Sequence, residues 1–586
     1  MPRAAARWTV LPQRPWVLAG TVSAIVILGL AAEFAAPPDP DNAFLLYAAG
    51  RVLDGAKLYV DVVEINPPLI VAFNFPPIFI ARLTGVSELL AFRIGVACLL
   101  GLSILVSKVG LRAIVPDGKS AVRSYLTILL TFVLFLFPGE VFSEREHLML
   151  ALVMPYLFVV VARRMDRSIA NLHAHVIGIL AGFGFALKPQ FVVLWLALEL
   201  WLAASRRTWP KLRPETGWVA VVLVVYALAV FGLTPEYLKV VRRLGGPYLS
   251  FLRNSPIMTL LFGEGARLPL VTLLAYVALR KRCPRPSLIT GLAVAVLGLL
   301  IVGTVQGKGW SYHFYPASAI AVILLGLMVA TVTRPLTSLA PRVYGVVSYG
   351  LVAAILVGST TMGAWKLLDS QGPEVEPYPG FWELAELVRN RAEGETVLVL
   401  SYNMRSAWPL IPYAGAESAL RFPSLWLFWV LYADQLQQPQ PLTYRPAGTE
   451  PPVERYFKDA VLSDMELGKP WLLVVLGSAR DVPENAARRL DYLAYFSQEP
   501  RFARELASYR YVTTLGQHDV YERTSEAAPV ALDRPPLHAQ GDLEAVPSPG
   551  LRFAFGEPAE RIRLVIFLAA IGVALGTGWH RSQERA

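Results

Sequence analysis

Hydrophobic runs long enough to cross a bilayer recur along this chain, and short polar clusters interrupt them at their ends. Runs of spanning length fall at roughly 16–36, 88–109, 124–141, 147–163, 170–187, 190–204, 216–234, 268–280, 287–305, 315–332, 343–363 and 562–579. The pattern predicts about twelve transmembrane helices. Between the last two runs the periodicity changes. Short apolar runs at Thr396 to Ser401 and Trp471 to Leu476, helix-like patterns at Phe381 to Arg391 and Glu484 to Phe496, and a final strand-like run at Tyr509 to Tyr521 predict a small α/β domain. A stretch rich in Pro, Ala and acidic residues then reads as a linker to the last helix.

Basic residues decide which loops share a side. Arg3, Arg7 and Arg14 precede the first run; Lys108, Arg112, Lys119 and Arg123 share one loop, and Arg163, Arg164 and Arg167 lie in the next but one. Arg206, Arg207, Lys211 and Arg213, then Arg280, Lys281, Arg282 and Arg285, then Arg334 and Arg342 continue the alternation. By the positive-inside rule these loops and the N-terminus are cytoplasmic. The first run has the length of a span rather than of a signal-peptide core, so it is read as a retained helix. The alternation requires that Leu69 to Thr84 does not cross. That segment carries Asn74, Pro76, Pro77 and Arg82, and proline inside a helix removes a backbone bond, so short interfacial or re-entrant helices are expected there. The predicted organisation is a membrane module over 1–366, with an acidic first outer loop at 37–68 and interfacial helices at 69–84. An extracytoplasmic α/β domain over 367–525, a linker over 526–561, and a last transmembrane helix with a cytoplasmic tail over 562–586 complete it.

Composition agrees. Of 586 residues 55% are hydrophobic and 17% charged, and the mean hydropathy is +0.47, against about a quarter charged in soluble domains. The chain is predicted to be an α-helical polytopic membrane protein. Its net charge of +10 sits in short loop clusters, which argues for membrane lipids and against nucleic acid as a partner. Two cysteines, Cys98 and Cys283, indicate neither a disulfide framework nor a cysteine metal site.

Ionisable groups at membrane depth are costly and usually mark a site. The first outer loop holds Asp39, Asp41, Tyr59, Asp61 and Glu64, the last just ahead of Asn66-Pro67-Pro68. A carboxylate there can serve as a general base; equally, acids in a loop can simply cap short helices. Ser143 to His147 opens a span with two acids, a guanidinium and an imidazole. Glu146 and His147 are candidate ligands for a divalent metal ion and Arg145 a candidate phosphate clamp, whereas Ser143 and Glu146 alone would make a capping box. Lys188 ends one span, Lys308 another, and Arg93 lies within the second. Lys308 stands between Gly307 and Gly309, beside Trp310, Tyr312 and His313. An aromatic belt with an anchoring lysine accounts for the rings but needs no paired glycines. His173 and His175 are read as structural. In the α/β domain Trp408, Trp426 and Trp429 are either a carbohydrate surface or a packed core.

In order, the acidic first loop (Asp39, Asp41), Gly50-Arg51 to Asp54-Gly55, Tyr59, the run Glu64-Ile65-Asn66-Pro67-Pro68-Leu69, and Arg93 in the second span resemble the GT-C superfamily of multi-spanning glycosyltransferases. The layout of helices and C-terminal domain is similar to bacterial arabinosyl-, mannosyl- and lipid A aminoarabinose transferases. The resemblance implies a bacterial inner-membrane enzyme with its active site facing the periplasm or cell exterior. Such an enzyme moves a sugar from a polyprenyl-phosphate donor to a glycan, lipid or protein acceptor, with inversion. Asp41 or Asp39 would be the base, with Glu64 nearby; Pro40 separates the two aspartates, and the choice between them stays open. Arg93, Arg145, Lys188, Lys308, Tyr312 and His313 are the candidates for the donor phosphate. The one cofactor these residues suggest is a divalent metal ion. A transporter or flippase of lipid-linked sugars is the alternative, and it would need access from both faces.

Overall fold

The computed structural model describes residues 15–115, 120–204, 213–263, 265–282, 286–332, 377–436, 442–477 and 490–524. Its helices follow the hydrophobic runs. They are α1 (Pro15–Ala35), α2 (Pro40–Leu53), α3 (Leu69–Ala72), α4 (Phe75–Thr84), α5 (Glu88–Ile114), α6 (Ser120–Phe135), α7 (Arg145–Arg164) and α8 (Asn171–Ala186). There follow α9 (Val192–Ala204), α10 (Pro214–Leu233), α11 (Pro235–Ser250), α12 (Pro256–Phe262), α13 (Arg267–Leu279), α14 (Pro286–Gln306) and α15 (Ser311–Val332). Among the described residues α1, α5, α7, α10, α14 and α15 are long and apolar enough to cross a membrane, and the bent pair α12 and α13 would make a seventh span. Residues 69–84, 122–135, 171–186 and 189–204 form shorter apolar helices. The runs expected at 343–363 and 562–579, and the linker, lie outside the described residues.

Local chemistry sets the helix ends. Asp39 caps α2 and Ser87 caps α5, each side chain accepting a main-chain N–H. Prolines stand in the first turn of α2, α10, α11 and α12, where a missing N–H costs nothing. The segment Leu69 to Thr84 breaks at Phe73-Asn74 into α3 and α4. The third run stops at Phe135, short of the expected 141, because Pro138 and Gly139 turn the chain into one 3₁₀ turn.

One helix is central. Every residue from Arg145 to Ala162 of α7 is buried, and α7 packs against α5, α8, α14 and α15. The polar cluster at its head is therefore enclosed by the surrounding helices at that end of the bundle.

The C-terminal part holds a five-stranded mixed sheet in the order β2-β1-β3-β5-β4, with β1 Thr396–Leu400, β2 Glu417–Ser418, β3 Leu472–Leu476, β4 Tyr509–Leu515 and β5 His518–Arg523. β1 runs parallel to β2 and β3; β5 is antiparallel to β3 and β4. The run read as one strand at Tyr509 to Tyr521 is a hairpin turning at Gly516, whose φ is +55°. Side chains alternate between faces. Val397, Val399, Leu472, Val474 and Val520 join the core that continues into the membrane helices. Leu398, Leu400, Leu473, Val475 and Tyr521 join a second core with Tyr59 and Val63 of the first loop and Val240 and Leu244 of α11. The sheet is thus built into the helical module from both faces.

Candidate active site

The acids come together at the start of α2. Asp39 accepts the main-chain N–H of Asp41 at 2.8 Å, and Asp41 forms an ion pair with Arg145 at 2.9 Å. Glu144, directly before α7, adds a third carboxylate: oxygens of Asp39, Asp41 and Glu144 lie within 4.8 Å of one another. Burial, then the negative charge of Asp41, raises the Asp39 carboxyl above its usual range. Burial, then Asp39 and Asp41, raises Glu144 further. Three crowded carboxylates with one guanidinium favour a shared proton or a bound cation. An all-oxygen set suits a hard divalent ion, and Glu144 Oε2 is buried without a hydrogen-bond partner. These residues fit such an ion.

The expected metal ligands lie elsewhere. His147 Nδ1 accepts from Ser143 N at 2.9 Å, and its Nε2 lies 2.9 Å from the Leu134 carbonyl, so both nitrogens are taken by main chain. Glu146 pairs with Lys188 at 2.6 Å inside the bundle. The Ser143–Glu146 capping box does not form either: Ser143 Oγ donates to the Phe142 carbonyl. Asn42 Nδ2 of α2 donates to Ser143 Oγ at 3.1 Å, tying the two acidic segments together.

Cations gather opposite. Arg145 Nη2 also lies 3.7 Å from Glu144. Lys308 is 7% exposed and its Nζ has no hydrogen-bond partner among the described residues. It sits 3.6 Å from the Tyr248 ring centroid, 4.8 Å from Trp310 and 4.9 Å from Phe251. Burial pushes its ammonium down to about 7, with the charge of Lys188 lowering it further, Asp41 opposing and Arg145 adding to the shift. Gly307 and Gly309 both have φ of +73°, a conformation glycine adopts without strain; this is why the paired glycines flank the lysine. Tyr312 underlies Lys188 at 5.3 Å, and His313, tilted against Trp310 and edge-on to Tyr312, leaves Nδ1 without a hydrogen-bond partner among the described residues.

Two candidates play other parts. Arg93 donates to the Ala36 carbonyl at 2.7 Å and lies 3.5 Å from Glu33. It fastens the end of α1, with its guanidinium also lying 5.7 Å from the Phe34 ring centroid. Glu64 turns inward and accepts from Asn66 N at 2.7 Å. Burial raises its carboxyl, and Arg145 opposes the shift.

Three participants escaped the sequence reading: Glu144 in its role beside the aspartates, Tyr248 on α11, and Arg405, an exposed arginine of the α/β domain whose charge reaches Asp39. Helix α11 had a signal. Pro235 opens it, and Tyr237, Val240, Leu244 and Tyr248 follow at helical spacing. Trp408 is buried against Phe44 and Tyr47, so it belongs to the core rather than to a carbohydrate surface.

No family model matches the chain, and no curated protein matches it in sequence. Among solved structures the chain is similar to ArnT from Cupriavidus metallidurans bound to undecaprenyl phosphate, at 14% identity and a TM-score of 0.53, over 88% of this chain and 99% of that one. It also matches the Archaeoglobus fulgidus oligosaccharyltransferase, at 12% identity and a TM-score of 0.42 in complex with Zn and sulfate and 0.45 in the apo form. Those two matches cover 88% of this chain and 74% and 75% of the other. The chain is a multi-pass α-helical membrane protein that shares the fold of that ArnT structure and carries a small C-terminal α/β domain.

Proposed function

We propose that this protein is a membrane glycosyltransferase that moves a sugar from a polyprenyl-phosphate donor to a hydroxyl on an extracytoplasmic glycan, lipid or protein, with inversion. The observation that carries the reading is a set of buried polar atoms without hydrogen-bond partners at one end of the bundle: Glu144 Oε2, Arg145 Nε, Glu146 Oε2, Lys308 Nζ and His313 Nδ1. Each such group costs about 1–3 kcal/mol or more, a cost that a charged ligand can remove. Their chemistry divides in two. Carboxylates suit an acceptor hydroxyl or a cation, and cations suit a phosphate leaving group.

Asp39 is the better base, since its raised carboxyl lies nearer working pH while Asp41 is engaged with Arg145. Asp39 removes the hydroxyl proton as the oxygen attacks the anomeric carbon. The bond to the lipid phosphate breaks on the opposite side, and Arg145 and Lys308 receive the growing negative charge. One such donor contributes about 10²-fold or more in rate. A divalent ion on Asp39, Asp41 and Glu144 would supply electrostatic orientation of the acceptor and donor oxygens. The membrane is the cytoplasmic one of a bacterium, with the site on its outer side, where the donor is lipid-linked because no nucleotide is at hand.

The test is transfer by the purified full-length protein in nanodiscs, supplied with a panel of polyprenyl-phosphate sugars and envelope acceptors and read as released polyprenyl phosphate. Asp39→Asn should lower kcat by about 10²-fold or more. Full activity in an Asp39→Asn, Asp41→Asn double variant refutes the assignment of the base. Absence of sugar transfer with every donor, together with movement of intact donor across the bilayer, favours a flippase instead.

A further inference from the structure

Both aspartates ride on α2: Asp39 is its cap and Asp41 lies in its first turn. Any shift of this helix moves them together. On one side α2 is held by Asn42, bonded to the Phe142 carbonyl and Ser143 Oγ. The other side presents Phe44, Tyr47 and Arg51, spaced at three and four residues and therefore in line along successive turns. All three meet the α/β domain. The Trp408 ring packs 5.2 Å from Phe44 and 4.9 Å from Tyr47. The Tyr47 hydroxyl accepts the main-chain N–H of Ser418 at 2.9 Å, and Arg51 forms an ion pair with Glu417. Trp408 is itself fixed by a bond from Nε1 to the Pro423 carbonyl at 2.8 Å.

We infer that the α/β domain positions the general base: Trp408, Ser418 and Glu417 clamp three successive turns of α2 and set the Asp39 and Asp41 carboxylates against Glu144 and Arg145. Its consequence for turnover rests on the transferase reading; the clamp itself does not. Trp408, Glu417 and Tyr47 are positioning residues, since none touches the acids. Displacing reacting groups by about 1 Å can cost 10²-fold in rate, and loosening one of three contacts is expected to cost about tenfold. The Arg51–Glu417 pair is well exposed, so breaking it costs little stability. A loss of rate there cannot be read as unfolding.

The experiment compares Tyr47→Phe, Glu417→Gln, Arg51→Glu alone, the charge swap Arg51→Glu with Glu417→Arg, and Glu466→Gln in full-length protein. The last breaks the exposed Glu466–Arg501 pair of the same domain, away from α2. Two quantities are read: kcat and KM for donor, and hydrogen exchange of the peptide covering 40–53. Tyr47→Phe and Glu417→Gln should each lower kcat about tenfold with donor KM unchanged and speed exchange in α2 about tenfold. The charge swap should recover both relative to Arg51→Glu alone, and Glu466→Gln should change neither. Wild-type exchange in α2 for Tyr47→Phe and Glu417→Gln overturns the clamp, as does a fall in kcat without it. If exchange responds as described but the unaltered protein transfers no sugar, the clamp stands and the transferase reading fails.

Discussion

Replacing Lys308 by methionine tests the donor side of the site. The ammonium is buried among Tyr248, Phe251 and Trp310 with no hydrogen-bond partner. Cation–ring contact contributes about 2 kcal/mol in such a setting; burial works against it, which is why the group is pushed down to about 7. An unfolded lysine titrates near 10.4, so between about 7 and 10 the unfolded chain binds more protons than the folded one, and stability rises with pH across that window. Below it both states are protonated, and the full penalty of a buried charge is present. Lys308→Met should therefore stabilise the ligand-free protein at neutral pH and flatten the rise. Donor binding has the opposite dependence. A phosphate selects the protonated amine, so wild-type affinity should fall as pH increases above 7, with proton uptake on binding. A charge-assisted hydrogen bond of about 1.5–3 kcal/mol corresponds to a loss of about 10- to 150-fold in affinity for the methionine variant. Calorimetric titration with polyprenyl phosphate at about pH 6, 7.5 and 9 reads both effects. Wild-type affinity in Lys308→Met, or no pH dependence in the unaltered protein, refutes the argument.

Three further perturbations separate roles within the same cluster. Glu144→Gln removes one oxygen donor from the acidic trio, so binding of Mn²⁺, followed by paramagnetic resonance, should weaken by at least about 100-fold, more than outer-sphere partners typically cost. Lys188→Met strands Glu146 in the bundle without its counterion; thermal unfolding should show a loss of about 3–5 kcal/mol, partly recovered when Glu146→Gln is added. Arg93→Gln gives up the bond to the Ala36 carbonyl, and the protein should lose about 1–3 kcal/mol of stability. Its affinity for polyprenyl phosphate, by the same titration, should stay at the wild-type value.

Much of the architecture was legible because the bilayer imposes it. A helix that must bury its own backbone polarity in hydrocarbon needs about 20 apolar residues, and ten of the expected runs fall on helices α1, α5 to α10 and α13 to α15. The α/β domain was legible in outline for a similar reason, since β1 and β3 are short apolar runs buried on both faces. What escaped depended on contacts between distant segments. Hydropathy cannot tell a lipid-facing helix from a central one, so the burial of α7 from Arg145 to Ala162 was invisible. Ser143 to His147 was legible as a site, yet the allocation of its members was not. Whether Glu144 or Glu146 meets the aspartates depends on which side of a single turn faces α2. Arg93 and Lys308 look alike in sequence as lone cations against apolar runs, the first within the second span and the other just past the end of a later one. One finds a carbonyl and a carboxylate at the end of α1, and the other finds only rings.

That contrast extends to whole networks. A second polar cluster crosses the bundle between α7, α9 and α10. Glu199 accepts from Tyr156, from Thr216 at 3.2 Å and from Arg213; Glu215 accepts from Arg163 at 2.9 and 3.2 Å. It too brings acids, arginines and a tyrosine together, with Glu215 fully buried and Glu199, Arg163 and Arg213 partly so. Among the described residues its carboxylates are satisfied by the protein itself, and the buried Arg213 Nη1, which has no hydrogen bond, still lies 3.6 Å from Glu215. A polar network that closes on itself holds helices together and has no unmet demand for a ligand. The cluster of Glu144, Arg145, Glu146, Lys308 and His313 does not close. A chain that leaves acids and cations unmatched within a few turns of each other gives up stability there, and such a cost is expected where charge must be supplied to something that arrives.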